Sequence, residues 1–391
     1  MIPTLTDEHR ELVSLVRDVC EREVAPHTAE WDAGHQVPLD ALRTLGELGL
    51  LGVIIPEEYG GAGLDYLALT LLVEELARFD AGLSVAVAVH AGLCAAPLLR
   101  FGSDDQKERY LPRLATGELL GAYALTEPDA GSDTASIRAR ATAVGDGFRL
   151  DGTKTWITNG GFADFFIVFA RTGGPGPKGV SAFLVERRDG LSSSKEIPKL
   201  GLHTSSTAEL VLEGLEVPGE DLLGVPDEGL KVALATLDGG RITIAAQACG
   251  IAQAAVDLAV RYATERSAFG GPIARFQGVQ FPIADVAARL EGARLLTMRA
   301  AALRSDGAPH GLEGAQAKLV ASRVAVDAAD VAVQTLGGYG YSAEFPAERL
   351  YRDAKITEIY EGTSQIQRLV IARGGAEPFA VARFGCPPGR A

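Results

Sequence analysis

A glutamate near the C-terminal end of the chain is the residue best suited to carry chemistry. Glu361 stands between a tyrosine and a glycine, and the apolar Ile356 and Ile359 precede it. A carboxylate in apolar surroundings has its charged form disfavoured, which raises its pKa. A general base that removes a proton from carbon requires such a pKa. The segment 360–367 therefore predicts a catalytic carboxylate, and a solvated glutamate at a helix end is the alternative.

Two earlier segments could bind a flat polar ligand. Residues 123–133 begin as a strand and break into a loop, where Thr126 and Ser132 offer hydroxyls beside exposed backbone. Further on, Trp156 and Thr158 are two residues apart, which places them on the same side of a strand. An indole face beside a hydroxyl suits a heteroaromatic ring. Taken singly, an ordinary polar loop and a core tryptophan explain these two segments equally well.

The composition argues against several classes of protein. The net charge of −14 over 391 residues is unsuited to nucleic acid, whose phosphates require clustered Lys and Arg. The four cysteines form no C-x-x-C pair and the six histidines show no i, i+4 pair, so neither a metal site nor a disulfide framework is predicted. The N-terminus has no basic segment followed by an apolar one, and a signal peptide is not expected.

The longest uncharged run, residues 81–99, is nearly long enough to span a bilayer. It is rich in Ala and Gly, contains His90 and Pro97, and is bounded by Asp80 and Arg100. A buried core helix is the better interpretation. We therefore expect no membrane partner and a cytoplasmic protein.

Helical patterns dominate the first part of the chain, predicted as a domain over residues 1–120. Thr6, followed by two acidic residues, is a good helix N-cap, and Asp65 and Ser103 begin further helical stretches. From Gly121 the apolar residues alternate with polar ones in short runs between Gly- and Pro-bearing turns. This pattern is typical of a compact antiparallel sheet, predicted over residues 121–228.

Long Ala-rich helical stretches follow at 241–266, 279–304 and 312–336, and a shorter one begins near Pro346. They predict a helical bundle over residues 229–391, with a loose tail from Glu377. The succession of helices, strands and helices argues against a doubly wound nucleotide-binding fold. The fold class is therefore mainly α with a β domain.

A literal G-x-G-x-x-G match at residues 174–179 should be rejected. Two prolines fill its variable positions and remove backbone donors, and a strand-like run rather than a helix follows it. A surface hairpin is predicted, so a bound dinucleotide would not occupy a Rossmann-type site.

In their order along the chain and in their amino-acid sequences, the three segments together resemble the acyl-CoA dehydrogenase family, most closely its short-chain members. The resemblance covers residues 1–373, with further matches at 199–207, 238–241, 265–270, 276–277, 334–340 and 352–355. It implies an N-terminal helical domain, a middle β-barrel-like domain and a C-terminal four-helix bundle. It also implies a homotetramer that binds FAD between its domains and uses electron-transfer flavoprotein as the external acceptor.

The resemblance also implies roles for individual residues. From the middle domain the FAD site would take Tyr123, Leu125, Thr126, Gly131, Ser132, Trp156, Ile157 and Thr158. A neighbouring subunit would contribute Arg266, Phe269 and Gln277, and the site would be completed by Gln334, Gly337, Gly338, Thr363 and Gln365. The acyl-CoA would contact Ser132, Asp238, Arg241 and Gly362.

In the implied reaction Glu361 takes the α-proton of the thioester while the β-hydrogen leaves as hydride to the flavin, giving the trans-2-enoyl-CoA. A variant of the family places its base just before the bundle arginine, but that position here is Gly240, which cannot serve. The apolar run 81–99 favours a short straight or methyl-branched chain, as in fatty-acid β-oxidation. The alternatives are an acyl-CoA oxidase, usually longer than this chain, and a non-catalytic acyl-CoA-binding protein.

Overall fold

The first part of the chain is helical in the computed structural model, which describes residues 3–374. The tail predicted from Glu377 lies outside the described residues. The helices are α1 (Asp7–Val19), α2 (Thr28–Gly34), α3 (Leu39–Glu47), α4 (Tyr66–Phe79), α5 (Ala81–Val87), α6 (Ala96–Phe101) and α7 (Asp104–Thr116). Thr6, Asp65 and Ser103 cap α1, α4 and α7 through their side chains, as the sequence predicts.

The apolar run 81–99 lies inside a continuous helix, Ala81–Phe101, in which the π-helical segment Ala88–Ala95 joins α5 to α6. This helix and Gly229–Glu265 are long and apolar enough to cross a membrane by length and composition alone. Within the protein, 94% and 83% of their apolar windows are buried. The prediction of a buried core helix is confirmed.

An eight-stranded sheet follows, ordered β6-β7-β3-β2-β4-β5-β8, with β1 paired to β4. Its strands are β1 (Gly121–Ala124), β2 (Arg140–Val144), β3 (Gly147–Thr158), β4 (Phe165–Arg171), β5 (Val180–Glu186), β6 (Leu191–Ser193), β7 (Thr207–Pro218) and β8 (Leu222–Leu223). Residues 174–179 lie in the turn between the antiparallel β4 and β5, so they form the predicted hairpin.

The expectation of a purely antiparallel sheet was wrong. Both β1 and β2 run parallel to β4, where Ala124 pairs with Val168 and Arg140 with Arg171. Antiparallel neighbours can be joined by a tight turn, whereas parallel neighbours require a crossover. Here the β2–β3 hairpin separates β1 from β4 in the chain, and it supplies that crossover.

The C-terminal part is a helical bundle. Its helices are α8 (Gly229–Glu265), α9 (Gln277–Ser305), α10 (Gly311–Leu336), α11 (Ala347–Ile356) and α12 (Ser364–Gly374), with the short hairpin of β9 (Ser267–Ala268) and β10 (Gly271–Pro272) after α8. The first long helix begins at Gly229, well before the predicted residue 241. Asp238 and Arg241 therefore lie inside this helix, where Arg241 is buried and Asp238 is half-buried.

Candidate active site

Glu361 lies in the short loop between α11 and α12, with its backbone in the left-handed region at φ +52°. Two side chains hold this loop by its carbonyl oxygens. Lys318 Nζ donates to the Gly362 oxygen at 2.8 Å, and Gln367 Nε2 donates to the same oxygen at 2.7 Å and to the Glu361 oxygen at 3.2 Å. The preceding Tyr360 donates its hydroxyl to Gln247 on α8. The base loop, residues 357–362, is therefore fixed from three helices.

The Glu361 carboxyl group points into the protein. Its Oε2 atom is buried and has no hydrogen-bond partner within residues 3–374. Burial raises the pKa of Glu361 to about 7, while the positive charges of Lys318 and Arg241 oppose this change. The raised pKa agrees with the sequence-based expectation. Of the two apolar residues that suggested it, Ile359 is 49% exposed and Ile356 is partly buried.

The desolvating surroundings of Glu361 come from distant parts of the chain. A Cβ added at Gly240 of α8 would lie 2.5 Å from Glu361 Oε2 and 3.1 Å from Leu93 Cδ2. Leu93 belongs to the π-helical segment Ala88–Ala95 of the buried helix. The Glu361 carboxyl group thus lies against an apolar helix and against Gly240, where a side chain would collide with it.

Two of the predicted substrate residues, Arg241 and Gly362, lie near this carboxylate. Arg241 is 6% exposed, pairs with Asp238 one turn away on α8, and has a buried Nε atom without a partner among the described residues. Gly362 follows Glu361 directly. Ser132, the fourth, is exposed in the loop after β1.

The predicted flavin segments from the middle domain lie side by side. Thr155 N donates to the Thr126 oxygen at 2.9 Å, and Lys154 Nζ donates to the Leu125 oxygen at 3.1 Å. Lys154, which is 0% exposed, also pairs with Glu127 at 2.7 Å. These bonds attach the loop after β1 to the end of β3.

The end of β3 presents an open indole face. Trp156 is 58% exposed, whereas the adjacent Ile157 is 1% exposed and Thr158 is half-buried. Trp156 also has φ +60° at an irregularity in the β3–β7 pairing. Tyr123 is buried, and a Cβ added at Gly131 would meet no atom within 4 Å. An exposed indole on a strand attached to an open loop fits a flat ring such as the isoalloxazine of FAD.

A second group of predicted cofactor residues lines a cleft of about 510 Å³ at the end of α8 and α10. Arg266, Gly337 and Gly338 lie on its wall, and the Arg266 guanidinium is 5.9 Å from the centre of the Tyr339 ring. A guanidinium beside open glycine backbone fits a phosphate group. The wall of this cleft includes none of the predicted residues at 123–158.

The remaining predicted cofactor residues are dispersed. Gln277 begins α9 and Gln334 lies near the end of α10, both exposed, and Phe269 is 90% exposed. Thr363 accepts a bond from Ile366 N at 3.3 Å at the start of α12, and the exposed Gln365 follows it. None of these five residues lies on the wall of that cleft. Their proposed roles remain predictions.

Sequence reasoning missed Lys318, Gln247 and the anchoring role of Gln367. Lys318 and Gln247 form hydrogen bonds with residues that are distant in the sequence. Gln367, in contrast, lies inside the motif that carries Glu361. A signal for Lys318 was present, because it is a lone charge among apolar residues in an Ala-rich stretch.

Comparisons with known proteins give the family. Three domain profiles match along the chain: acyl-CoA dehydrogenase N-terminal domain over residues 6–118, middle domain over 122–215 and C-terminal domain over 227–376. The mitochondrial short-chain specific acyl-CoA dehydrogenase of Rattus norvegicus is 48% identical over 94% of this chain and 90% of its own length.

Solved structures agree with the sequence matches. Butyryl-CoA dehydrogenase from Megasphaera elsdenii is 43% identical, with a TM-score of 0.94 over 96% of this chain and 99% of that one. A chain from a structural study of the electron transferring flavoprotein of Acidaminococcus fermentans is 45% identical, also with a TM-score of 0.94 and the same coverage. The three-domain arrangement, the buried carboxylate and these matches agree. This chain belongs to the acyl-CoA dehydrogenase family, whose members are FAD-dependent oxidoreductases.

Proposed function

We propose that this protein dehydrogenates short straight-chain or methyl-branched acyl-CoA thioesters to the trans-2-enoyl-CoA, with Glu361 as the base. The observation that carries the proposal is the orphaned Oε2 atom of Glu361, buried beside Leu93 and Gly240. A carboxylate whose pKa is raised to about 7 is matched to proton removal near neutral pH. A base in this position would take the α-proton of a thioester lying between α8 and the buried helix Ala81–Phe101.

The same loop supplies a donor for the thioester oxygen. Within the described residues, the backbone N–H of Glu361 donates to no protein oxygen, although neighbouring N–H groups of the turn are paired. An N–H aimed at a developing oxyanion typically contributes ~3–4 kcal/mol to the transition state. The bonds from Lys318 and Gln367 to the loop carbonyls would fix the direction of this N–H.

FAD fits the residues of the two sites described above and would supply the hydride acceptor. Trp156, Tyr123 and the loop at Gly131 would hold its ring system, and Arg266 with Gly337 and Gly338 would hold its phosphates. Because the wall of the Arg266 cleft includes none of the predicted middle-domain residues, we propose that each FAD is held by two subunits of a homotetramer. In this assembly Phe269, which is 90% exposed in one chain, would lie against the neighbouring subunit.

A short acyl chain is supported by the buried helix. Its only polar side chains within residues 81–99 are already occupied: Ser84 donates to the Val73 oxygen at 2.8 Å, and His90 lies 3.0 Å from the Leu114 oxygen. His90 also accepts from Gly121 N at 3.1 Å. Neither of these two side chains is left free to bind a carboxylate at the end of an acyl chain. The names of the rat and Megasphaera relatives point to the same substrate class.

We further propose electron-transferring flavoprotein as the acceptor, a cytoplasmic location and a role in fatty-acid β-oxidation. The similarity to the chain from the Acidaminococcus study supports the acceptor. The net charge of −14 favours a protein partner with a basic face over nucleic acid. Burial of both apolar helices argues against a membrane-spanning role.

The proposal is tested by anaerobic mixing of the purified yellow protein with butyryl-CoA. Rapid bleaching of the flavin absorbance is expected, and Glu361→Gln should slow it by roughly 10²–10⁴-fold while retaining bound flavin. Flavin that stays oxidised with straight and branched acyl-CoAs of four to eight carbons would refute the substrate class. Rapid reoxidation of the reduced protein by O₂ would instead favour an acyl-CoA oxidase, and protein that takes up no FAD would favour a non-catalytic binder.

A further inference from the structure

Lys318 is a buried cation with no role in the reaction as described so far. It is 0% exposed on α10 between Ala317 and Ala321, which are also 0% exposed. Removing an ammonium group from water costs several kcal/mol unless hydrogen bonds and opposite charge compensate. The hydrogen bond that the structure gives its Nζ atom is the one to the Gly362 oxygen, at 2.8 Å.

A second residue on the same face of α10 binds the other end of the base loop. Ser322 lies one turn after Lys318 and donates its hydroxyl to the Thr357 oxygen at 2.7 Å. Residues four apart lie on one face of a helix. Since Thr357 begins the base loop and Gly362 ends it, α10 holds both ends of the segment that carries Glu361.

The charges around Lys318 come from two other elements. Glu361 and Glu358 belong to the segment after α11, and Arg241 lies on α8. The pKa of Lys318 is lowered to about 7: burial is the main cause, Arg241 also lowers it, and the two glutamates oppose this change. In turn, the positive charge of Lys318 opposes the rise in the pKa of Glu361 and is the larger of its two opposing charges.

We propose that Lys318 is a positioning residue for the catalytic base, which fixes the Gly362 carbonyl and favours the ionised form of Glu361 by its charge. This rests on the proposed role of Glu361. A comparison with Gln367 separates the effect of the hydrogen bond to the Gly362 carbonyl from the effect of the positive charge. Gln367 binds the same carbonyl at 2.7 Å, but it is neutral.

The experiment compares kcat/KM for butyryl-CoA from pH 6 to pH 9 in the wild type, Lys318→Met and Gln367→Leu. Lys231→Met is the matched control, since Lys231 is 72% exposed and pairs only with the nearby Glu228. Removing an opposite charge raises a carboxyl pKa by about one unit or more. Lys318→Met should therefore lose about tenfold or more at pH 6 and under about threefold at pH 9.

The other variants define the alternatives. Gln367→Leu should lose activity by a factor that does not change with pH, and Lys231→Met should match the wild type. A loss in Lys318→Met that is the same at every pH, or no loss, would overturn the proposal. Should Lys318→Met not fold, Lys318→Gln removes the charge but keeps a donor, and the same change in pH profile is expected.

A readout without turnover separates this proposal from the proposed function. The carboxyl stretching band of Glu361 can be found as the infrared difference between the holoenzyme and its Glu361→Gln variant, and followed with pH. It should titrate at higher pH in Lys318→Met than in the wild type, even if no acyl-CoA reduces the flavin. An unchanged titration would refute the role of Lys318 alone, whereas failed flavin reduction with a shifted titration would refute the proposed function alone.

Discussion

Gly240 on helix α8 and Glu361 in the loop between α11 and α12 approach the same point in the protein. A Cβ at Gly240 would be 2.5 Å from Glu361 Oε2, closer than any unstrained contact between carbon and oxygen. The resemblance noted above implies that a variant of the family carries its base at the position of Gly240. The geometry explains how either position could present a carboxylate to the same substrate carbon. It also explains why this chain has glycine at 240, since Glu361 already occupies the space.

Replacement of Gly240 by Ala should displace the carboxyl group of Glu361. A displacement of about 1 Å can cost about 10²-fold in rate. We expect kcat/KM for butyryl-CoA to fall by that order with little change in flavin content. Gly278→Ala on α9 is the matched control, because a Cβ there meets nothing within 4 Å. Equal activity in the two variants would contradict the predicted contact.

The activity should depend on pH through Glu361. Only the ionised carboxylate can accept the α-proton, and its pKa is raised to about 7. We therefore expect kcat/KM to be constant above pH 8 and to fall about tenfold per pH unit well below pH 7. Steady-state kinetics with a dye acceptor over pH 5.5 to 9 would measure this. A profile that is flat down to pH 5.5 would show that Glu361 is not desolvated in the free enzyme.

The same carboxylate should destabilise the folded protein at neutral pH. Its folded-state pKa lies above the unfolded-state value of about 4.5, so the folded protein binds this proton more tightly than the unfolded chain. The stabilisation that this proton gives is fully present below pH 4.5. It is lost, and the free energy of unfolding falls, as the pH rises through 7. Glu361→Gln should raise the free energy of unfolding at pH 8 by about 1–3 kcal/mol. The gain should shrink as the pH is lowered toward 4.5. Urea unfolding at matched flavin content would check this, and a gain that is larger at pH 5 than at pH 8 would contradict it.

The buried pair of Lys154 and Glu127 should be important for stability. Both residues are buried, and Glu127 also accepts from the N–H groups of Arg138 and Ala139 at the start of the sheet. Removing one partner leaves an uncompensated buried charge and typically costs about 3–5 kcal/mol. We expect this loss in Glu127→Gln, measured by urea unfolding.

An exposed ion pair nearby gives the control for that measurement. Arg138 and Asp129 are 3.4 Å apart with side chains 79% and 76% exposed. Such pairs contribute about 0–1 kcal/mol. Asp129→Asn should therefore change stability by less than about 1 kcal/mol, and a larger loss there than in Glu127→Gln would contradict the assignment.

Trp156 should act on cofactor binding rather than on folding. Because its indole is 58% exposed, Trp156→Ala removes little buried surface from the chain. We expect FAD to bind more weakly by about 1–3 kcal/mol, the usual value of stacking on an aromatic side chain. Flavin titration of the apoprotein would measure this. Leu200→Ala, at a residue 64% exposed, is the control, and equal FAD affinity in both variants would contradict the predicted role.

The sequence alone determined the succession of helices, sheet and helices, and it predicted roles for Glu361 and Trp156. Helix caps and alternating apolar residues are local patterns, so Thr6, Asp65, Ser103 and most strands could be predicted from neighbours in the chain. The sequences of several motifs, dispersed along the chain, were sufficient to recognise the family. Local patterns were not sufficient for the parallel pairing of β1 with β4, because the direction of a strand depends on where the chain returns.

The tertiary structure decided the environment of the base. Ile356 and Ile359 suggested that Glu361 is desolvated, yet Leu93 and the bare backbone at Gly240 are the groups beside its carboxyl oxygen. Lys318 was one lysine in an Ala-rich helix until folding placed it 2.8 Å from the Gly362 oxygen. Desolvation and charge act through space at a few ångströms, so a pKa and its causes follow from contacts between residues that are distant in the sequence.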